Sequence, residues 1–277
     1  MKTIVTHIRP HLDEVLAIWL LKRYLPEFQD AKVEFIPTSD AKAADGPDKV
    51  NVGIGRGMFD EHKGDIHDCA ASLIFRHLQE RGVKFDSLEL RGLAKLVEWV
   101  REGDTGLLGR MPYSTFSVHS ILLYHRDLAE RGDDSLMDIG FKICDSLLAA
   151  QKDVAVLEED WDKRTEFTSI YGPAVAFTTS ARDADSFAYQ HGFDLVAFVS
   201  KERNYHNIRA FAGSNIDLTP IYLQVKQVEP NVPWYLHHSK KMLICGGERT
   251  AIKDTSKLTL DWIVDALTPN YVRQQRY

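Results

Sequence analysis

The stretch Thr6-His7-Ile8-Arg9-Pro10-His11-Leu12-Asp13-Glu14 joins two periodicities. Ahead of it, Lys2 to Ile8 is a short apolar and β-branched run that reads as a strand. Beyond Arg9-Pro10, Asp13 to Tyr24 carries apolar residues at helical spacing through Val15, Leu16, Trp19 and Leu20. Two further strands are expected at Val33 to Ile36 and Val50 to Ile54, the second entering the glycine-rich turn Gly53-Ile54-Gly55-Arg56-Gly57. Helices are expected at Cys69 to Arg81, Ser87 to Arg101, Phe116 to Arg131 and, as one long element, Ser135 to Arg164. Strands alternating with helices predict an α/β fold, a parallel sheet with helices on both faces.

The texture changes at the polar segment Thr168 to Pro173, which places a domain boundary between residues 167 and 168. Beyond it, strands are expected at Ala174 to Thr178, Leu195 to Ser200, Ile208 to Phe211, Tyr235 to His238 and Met242 to Ile244. Short helical runs at Ala184 to His191 and Leu258 to Leu267 complete residues 168–277 as a smaller C-terminal α/β domain.

The 277 residues are 44% hydrophobic and 27% charged, a globular composition that excludes disordered and fibrous classes. No segment approaches the roughly 18 uncharged apolar residues of a spanning helix, and Lys2 leads directly into a strand-like run, so no membrane partner and a cytoplasmic address are expected. Cys69, Cys144 and Cys245 lie far apart with no paired spacing and read as small core residues. A net charge of -6 argues against a broad basic surface for long nucleic acid. It leaves room for a short nucleotide substrate whose phosphate is met by divalent cations.

His7, His11 and Asp13 stand where a strand ends and a helix begins, the usual ligand-binding edge of an open α/β sheet. Three metal-competent side chains within seven residues there point to a site. The glycines after the third strand let the chain approach a ligand closely, and Asp60, Glu61 and His62 follow them with two carboxylates and an imidazole. Neighbouring parallel strands would bring the two loops together. Arg9, Arg56 and Lys63 flank these loops and are candidates to meet an anionic substrate. Towards the C-terminus, Gly246 and Gly247 permit close backbone approach to a phosphate, with His238, Lys240, Lys241 and Arg249 around them; a hairpin whose basic residues face water is the simpler alternative. Trp19, Trp99 and Trp161 fall at helical positions and read as core residues, while Asp68 reads as a helix N-cap.

These motifs resemble the DHH phosphoesterase superfamily, and within it the branch named after the melanocyte proliferating gene. Thr6 to Glu14 is similar to that family's T-H-x-x-x-H-x-D-E opening; Val50-Asn51-Val52-Gly53 and Asp60-Glu61-His62 stand where the family has V-D-V-G and D-H-H. Ala70-Ala71-Ser72-Leu73, Asp104 in Glu102-Gly103-Asp104-Thr105-Gly106, and the run from Trp234-Tyr235-Leu236-His237-His238 to Cys245-Gly246-Gly247 resemble its later elements. The resemblance implies two metal ions, usually Mn2+ with Mg2+ as the alternative, about 3.5 to 4 Å apart. His7 and His11 would hold one, Asp13, Glu61 and Asp104 the other, with residue 51 bridging, Asp60 in the same loop and His62 facing a phosphate. Asp13, His62 and Asp104 would then carry catalysis, and Arg9, Arg56, Lys63, His238, Gly246 and Gly247 would contact substrate. The implied activity is phosphodiester hydrolysis of short or single-stranded nucleic acid, a homo-oligomer being compatible with it. Asn51 and Glu61 depart from the family's Asp and His, and Glu61 returns one negative charge to the loop. Two other readings stay open: hydrolysis of a small phosphate ester or pyrophosphate, and a relative that binds metal or nucleotide without turnover.

Overall fold

The computed structural model describes residues 1–41, 45–63, 67–108, 114–200, 202–247 and 255–269. The chain packs as two compact units, Met1–Lys152 and Asp153–Tyr277, both of mixed α/β structure.

In the first unit, β1 (Thr3–His7) is the middle strand of a parallel three-stranded sheet between β2 (Lys32–Ile36) and β3 (Lys49–Asn51). Helix α1 (Leu12–Tyr24) follows β1. It is buried over every residue from Asp13 to Leu21, more than the one-sided pattern of the sequence suggested, because α2 (Ala70–Glu80), α3 (Ser87–Asp104) and α5 (Asp133–Trp161) contribute to the same core. Gly140 of α5 permits that closeness: a Cβ there would lie 2.5 Å from Val15 Cγ1. Ile4, Leu16, Leu20, Ile74 and Leu93 are fully buried in this region. At roughly 1.5–3 kcal/mol each, they outweigh the weak preference of β-branched residues against helix. Helix α4 (Val118–Leu128) lies between α3 and α5 in the chain, and Leu122 is its buried residue.

The second unit is built on a six-stranded mixed sheet. Its order is β4 (Thr165–Ser169), β5 (Gly172–Thr178), β6 (Leu195–Ser200), β7 (Tyr205–Ala210), β9 (Met242–Gly246), β8 (Tyr235–Leu236). Only β5 and β6 run parallel, through a crossover containing α6 (Ala184–Gln190). All six residues of β6 are buried, so both of its faces are covered. One face packs with α7 (Thr219–Val228) and α8 (Leu260–Leu267), and the other meets Leu157, Trp161 and α6.

The sequence boundary at 167/168 does not coincide with the break in packing, which falls inside α5. The polar segment Thr168 to Pro173 is instead the turn of the β4–β5 hairpin, closed by Ser169 Oγ donating to Gly172 O at 2.8 Å. Strand β4 begins directly after the expected helix end at Arg164, where the sequence reading places no element, and α7 is a second element the sequence reading lacks. Among the described residues, no helix is long and apolar enough to cross a membrane.

Candidate metal centre

Because β1, β2 and β3 are parallel, the loops that leave them emerge along one edge of the sheet, and pairing of β1 with β3 makes two of them neighbours. The loop after β3 folds back on itself: Val52 bridges Phe59, and Gly53 N–H donates to Phe59 O at 2.8 Å. That return delivers Asp60, Glu61 and His62 beside the His7–His11 loop. The cleft between them has a volume of about 840 Å3, and His7, His11, Glu14, Glu61, His62 and Asp104 contribute to its lining.

Three sets of side chains approach closely enough for each to hold a cation. His7, His11 and Glu14 form one; Asp13, Glu61 and Asp104 form a second; Asp60, Glu61 and His62 form a third, and within each set the ligand atoms lie within 4.8 Å of one another. Glu14 is the residue that sequence reasoning omitted. It is buried, and its carboxylate accepts from His11 N–H at 2.7 Å and contacts His7 Nε2 at 3.1 Å. Gly53 makes room for it, since a Cβ on this φ +62° residue would lie 2.6 Å from Glu14 Oε1. The signal was present in the sequence as an acid three residues after the helix-starting His11.

Asp13 has a second duty. Its two carboxylate oxygens accept the N–H groups of Ala70 at 2.9 Å and Ala71 at 2.8 Å, the first two residues of α2. A carboxylate from α1 therefore satisfies the helix end that Asp68 was expected to cap. Asp68 lies one residue ahead of the cap position and contacts Ser72 and Arg76. Asp60 is similarly engaged, accepting from His62 N–H, His62 Nδ1 and Arg56 N–H, which fixes the loop and leaves the other imidazole nitrogen of the exposed His62 towards the cleft.

Charge crowding shifts the titrations. His7 is pushed up to about 9, first by its hydrogen bond to Glu14. Glu14 is held below the usual carboxylate range because His7 and His11 outweigh its burial. Asp13 is pushed up to about 8 by burial and then by the Glu14 charge. Burial also raises Glu61, and it raises Asp104 with help from Glu14. Burial opposes ionisation of Asp60, but the hydrogen bonds from His62 and Arg56 prevail and hold it low. His62 is raised chiefly by its bond to Asp60.

The donor set fits hard or borderline divalent cations, being oxygens and imidazoles. Glu61 supplies a sharper observation. Its side chain is only 10% exposed and its Oε2 is buried without a hydrogen-bond partner, in the same set as Asp13 and Asp104. A buried carboxylate oxygen in that state is costly unless the group takes up a proton, as its raised pKa favours, or a cation meets it.

Comparison with known proteins adds little to this geometry. No protein-family model matches the chain, and no curated protein matches it. Among solved structures, the pGpG-specific phosphodiesterase PggH from Vibrio cholerae aligns at 13% identity over 91% of this chain and 94% of that one, with a TM-score of 0.29.

The remaining expected residues are distributed unevenly. Arg9 and Arg56 both line the cleft and both hold left-handed backbone, φ +58° and +54°. Asn51 is buried at the end of β3, its N–H donating to Asp45, and does not line the cleft. Lys63 is exposed outside it. In the second unit, Gly246 and Gly247 line a separate cleft of about 560 Å3 with Arg182, Arg203 and Arg209. His238 is exposed, its ring tilted against that of His237, and does not line that cleft. Lys240 pairs with Asp217 and Lys241 donates to two backbone carbonyls, so both serve the loop between β8 and β9. Arg249 lies outside the described residues.

Left-handed backbone costs a non-glycine residue roughly 1–2 kcal/mol. Arg56→Gly is therefore expected to leave the melting temperature unchanged or slightly raised. The same change removes a guanidinium worth about ten-fold or more in contact with an anion, so KM for an anionic substrate should rise. A fall in melting temperature with KM unchanged would show that Arg56 serves the fold instead.

Proposed function

We propose that this chain is a metal-dependent phosphoesterase of DHH type, acting on phosphodiesters of short or single-stranded nucleic acid. The observation that carries the reading is the meeting of two cation-sized ligand sets, His7–His11–Glu14 and Asp13–Glu61–Asp104, at the carboxyl edge of a parallel sheet, where all of these residues but the buried Asp13 line one cleft.

In this reading the first set would hold one divalent ion, Mn2+ or Mg2+, and the second would hold another. When bound, such ions supply Lewis acidity to a phosphoryl group and make an attacking water more acidic. The chain's own residues do the rest. Arg9 and Arg56 flank the cleft and bind phosphoryl oxygens. His62, fixed through Nδ1 by Asp60 and raised in pKa, carries a proton on its other nitrogen towards the substrate. Asp13 transmits the position of α2 to the site through Ala70 and Ala71 N–H. No protein nucleophile is required.

The test is hydrolysis of bis-p-nitrophenyl phosphate and of short single-stranded oligonucleotides by metal-stripped protein titrated with Mn2+. Turnover that depends on Mn2+ and is lost in Glu61→Gln supports the reading; uptake of no transition metal overturns it. Asn51→Asp provides a graded check. A further buried carboxylate at the end of β3, near Asp45, should lower the melting temperature of the stripped protein, and Mn2+ binding tightened by about ten-fold would show that residue 51 reaches the ions.

The pKa shifts make a prediction for the stripped protein. His7 is favoured as imidazolium in the fold, at about 9 against an ordinary 6.5. Its contribution to stability is complete below pH 6.5 and is lost as pH rises through about 9. Asp13 acts in the same direction, since its raised value favours the protonated carboxyl until pH approaches about 8. The melting temperature in excess chelator should therefore fall between pH 6.5 and 9, and Glu14→Gln should flatten that fall. A flat profile in the unaltered protein would remove the His7–Glu14 pair from the account.

A further inference from the structure

The metal cleft has a second chamber. On the far side of His11 and Asp104, a pocket of about 470 Å3 opens between α1, α3 and the start of α4, within the size range of small-molecule sites. His11 and Asp104 line both cavities, so the two meet edge to edge at the residues that face the proposed cations. The character changes across that border. The first cavity is bounded by imidazoles, carboxylates and arginines; the second keeps Asp13 beside the shared His11 and Asp104 at that border, and its further walls include Leu12, Trp99, Val100, Leu108 and Val118.

Trp99 decides how the chamber reads. In sequence it looks like a core residue, and part of the ring does pack against the first unit's core, but the side chain is only half-buried and contributes a wall to this pocket. Ser117 and the exposed His119, in the cap and first turn of α4, add polar groups at the same pocket. An indole wall with aliphatic walls around it and a few hydrogen-bonding groups suits a flat, heteroatom-bearing ring. Pyrophosphate, or a phosphate ester without a base, would leave this chamber with nothing to bind.

We infer that the pocket lined by Trp99, Leu108 and Val118 receives a nucleobase attached to the phosphoryl group held in the adjoining metal cleft. The inference rests on the phosphoesterase reading of that cleft and sharpens it, because it assigns the substrate to nucleotides rather than to small phosphates without a base. Base stacking on one aromatic side chain contributes roughly five-fold to a hundred-fold in binding.

The experiment is calorimetric titration of AMP and of ribose 5-phosphate into the Mn2+-loaded full chain. The two ligands share phosphate and sugar and differ in the base. AMP is expected to bind at least about ten-fold more tightly. Trp99→Leu, which keeps an apolar wall without the ring, and Val118→Phe, which fills the chamber from the opposite element, should each abolish that preference. Using both variants keeps the test decisive where one fails to fold, which circular dichroism reports. Equal binding of AMP and ribose 5-phosphate to the unaltered protein, or a preference that survives in both variants, overturns the inference while leaving the metal cleft in place. Failure to take up Mn2+ or either ligand overturns both. A preference for AMP in a protein without turnover supports the pocket and removes only the hydrolytic step.

Discussion

Asp13→Asn is expected to reduce the proposed Mn2+-dependent phosphodiester hydrolysis by about a thousand-fold, a loss larger than any change at the arginines. The carboxylate works in two places at once. It belongs to the ligand set with Glu61 and Asp104, and it accepts the first two N–H groups of α2. An amide keeps one acceptor oxygen but turns an NH2 group towards the other backbone N–H, and it brings no charge to a cation. Removing a charged ligand forfeits several kcal/mol of electrostatic stabilisation, and each 1.4 kcal/mol is tenfold in rate. The helix end should lose about 1 kcal/mol in addition, read as a drop of a few degrees in melting temperature. Asp13→Glu separates the two effects, since it retains charge but cannot reach both N–H groups from the same backbone position. If Asp13→Asn lowers the melting temperature while Mn2+ binding and turnover persist, Asp13 is a helix cap and the second ligand set is not a cation site.

The parts of this molecule that were legible in its sequence are those where chemistry and periodicity coincide. His7, His11 and Asp13 stood out because three ligand-competent groups sit at a change from strand to helix, and parallel pairing of β1 with β3 brings Glu61 to the same edge. Asp104 appeared as an acid after an apolar run; in the structure it is the last residue of α3. Glu14 was passed over because an acid in the first turn of a helix ordinarily faces water and the dipole, whereas here α1 is buried on all sides and its first-turn acids turn into the site. Strand β4 was hidden because an edge strand buries little: of its five residues only Ser169 is buried, and it follows a charged helical run. Helix α7 was hidden because only Ile221 and Val225 are buried on it, too few to establish a period. The boundary was misplaced for a related reason. Polar residues mark exposed backbone, and a tight hairpin exposes backbone as well as a linker does.

Gly246→Ala is expected to be the most destabilising single substitution in the second unit, and its effect separates two reasons for a glycine pair. The sequence suggests close approach of backbone to a phosphate. The structure supplies a competing reason: Gly246 sits at φ +87°, and a Cβ there would lie 1.9 Å from the backbone carbonyl oxygen of Asn204, across the pairing of β7 with β9. The Asn204 carbonyl, in the turn before β7, already accepts Gly247 N–H at 3.2 Å and is backbone, which cannot swing away as a flexible side chain can, so β9 or that turn must move. Backbone strain of this kind costs about 1–3 kcal/mol before the clash is counted, and a total near 3 kcal/mol or above lowers the melting temperature by roughly 10 °C. Gly172→Ala is the matched control. Its φ of +110° is equally unfavourable to alanine, yet nothing lies within 4 Å of the added methyl, so it should show the conformational cost alone. Gly247→Ala falls between them, at φ +102° with the Tyr205 ring 3.3 Å away. If Gly246→Ala melts no lower than Gly172→Ala, the sheet tolerates the methyl group and the glycine is kept for what approaches it from the cleft beside Arg182, Arg203 and Arg209. If it melts far lower, the first glycine of the pair is demanded by the Asn204 carbonyl, and only Gly247 remains as the position where backbone is bared for a ligand.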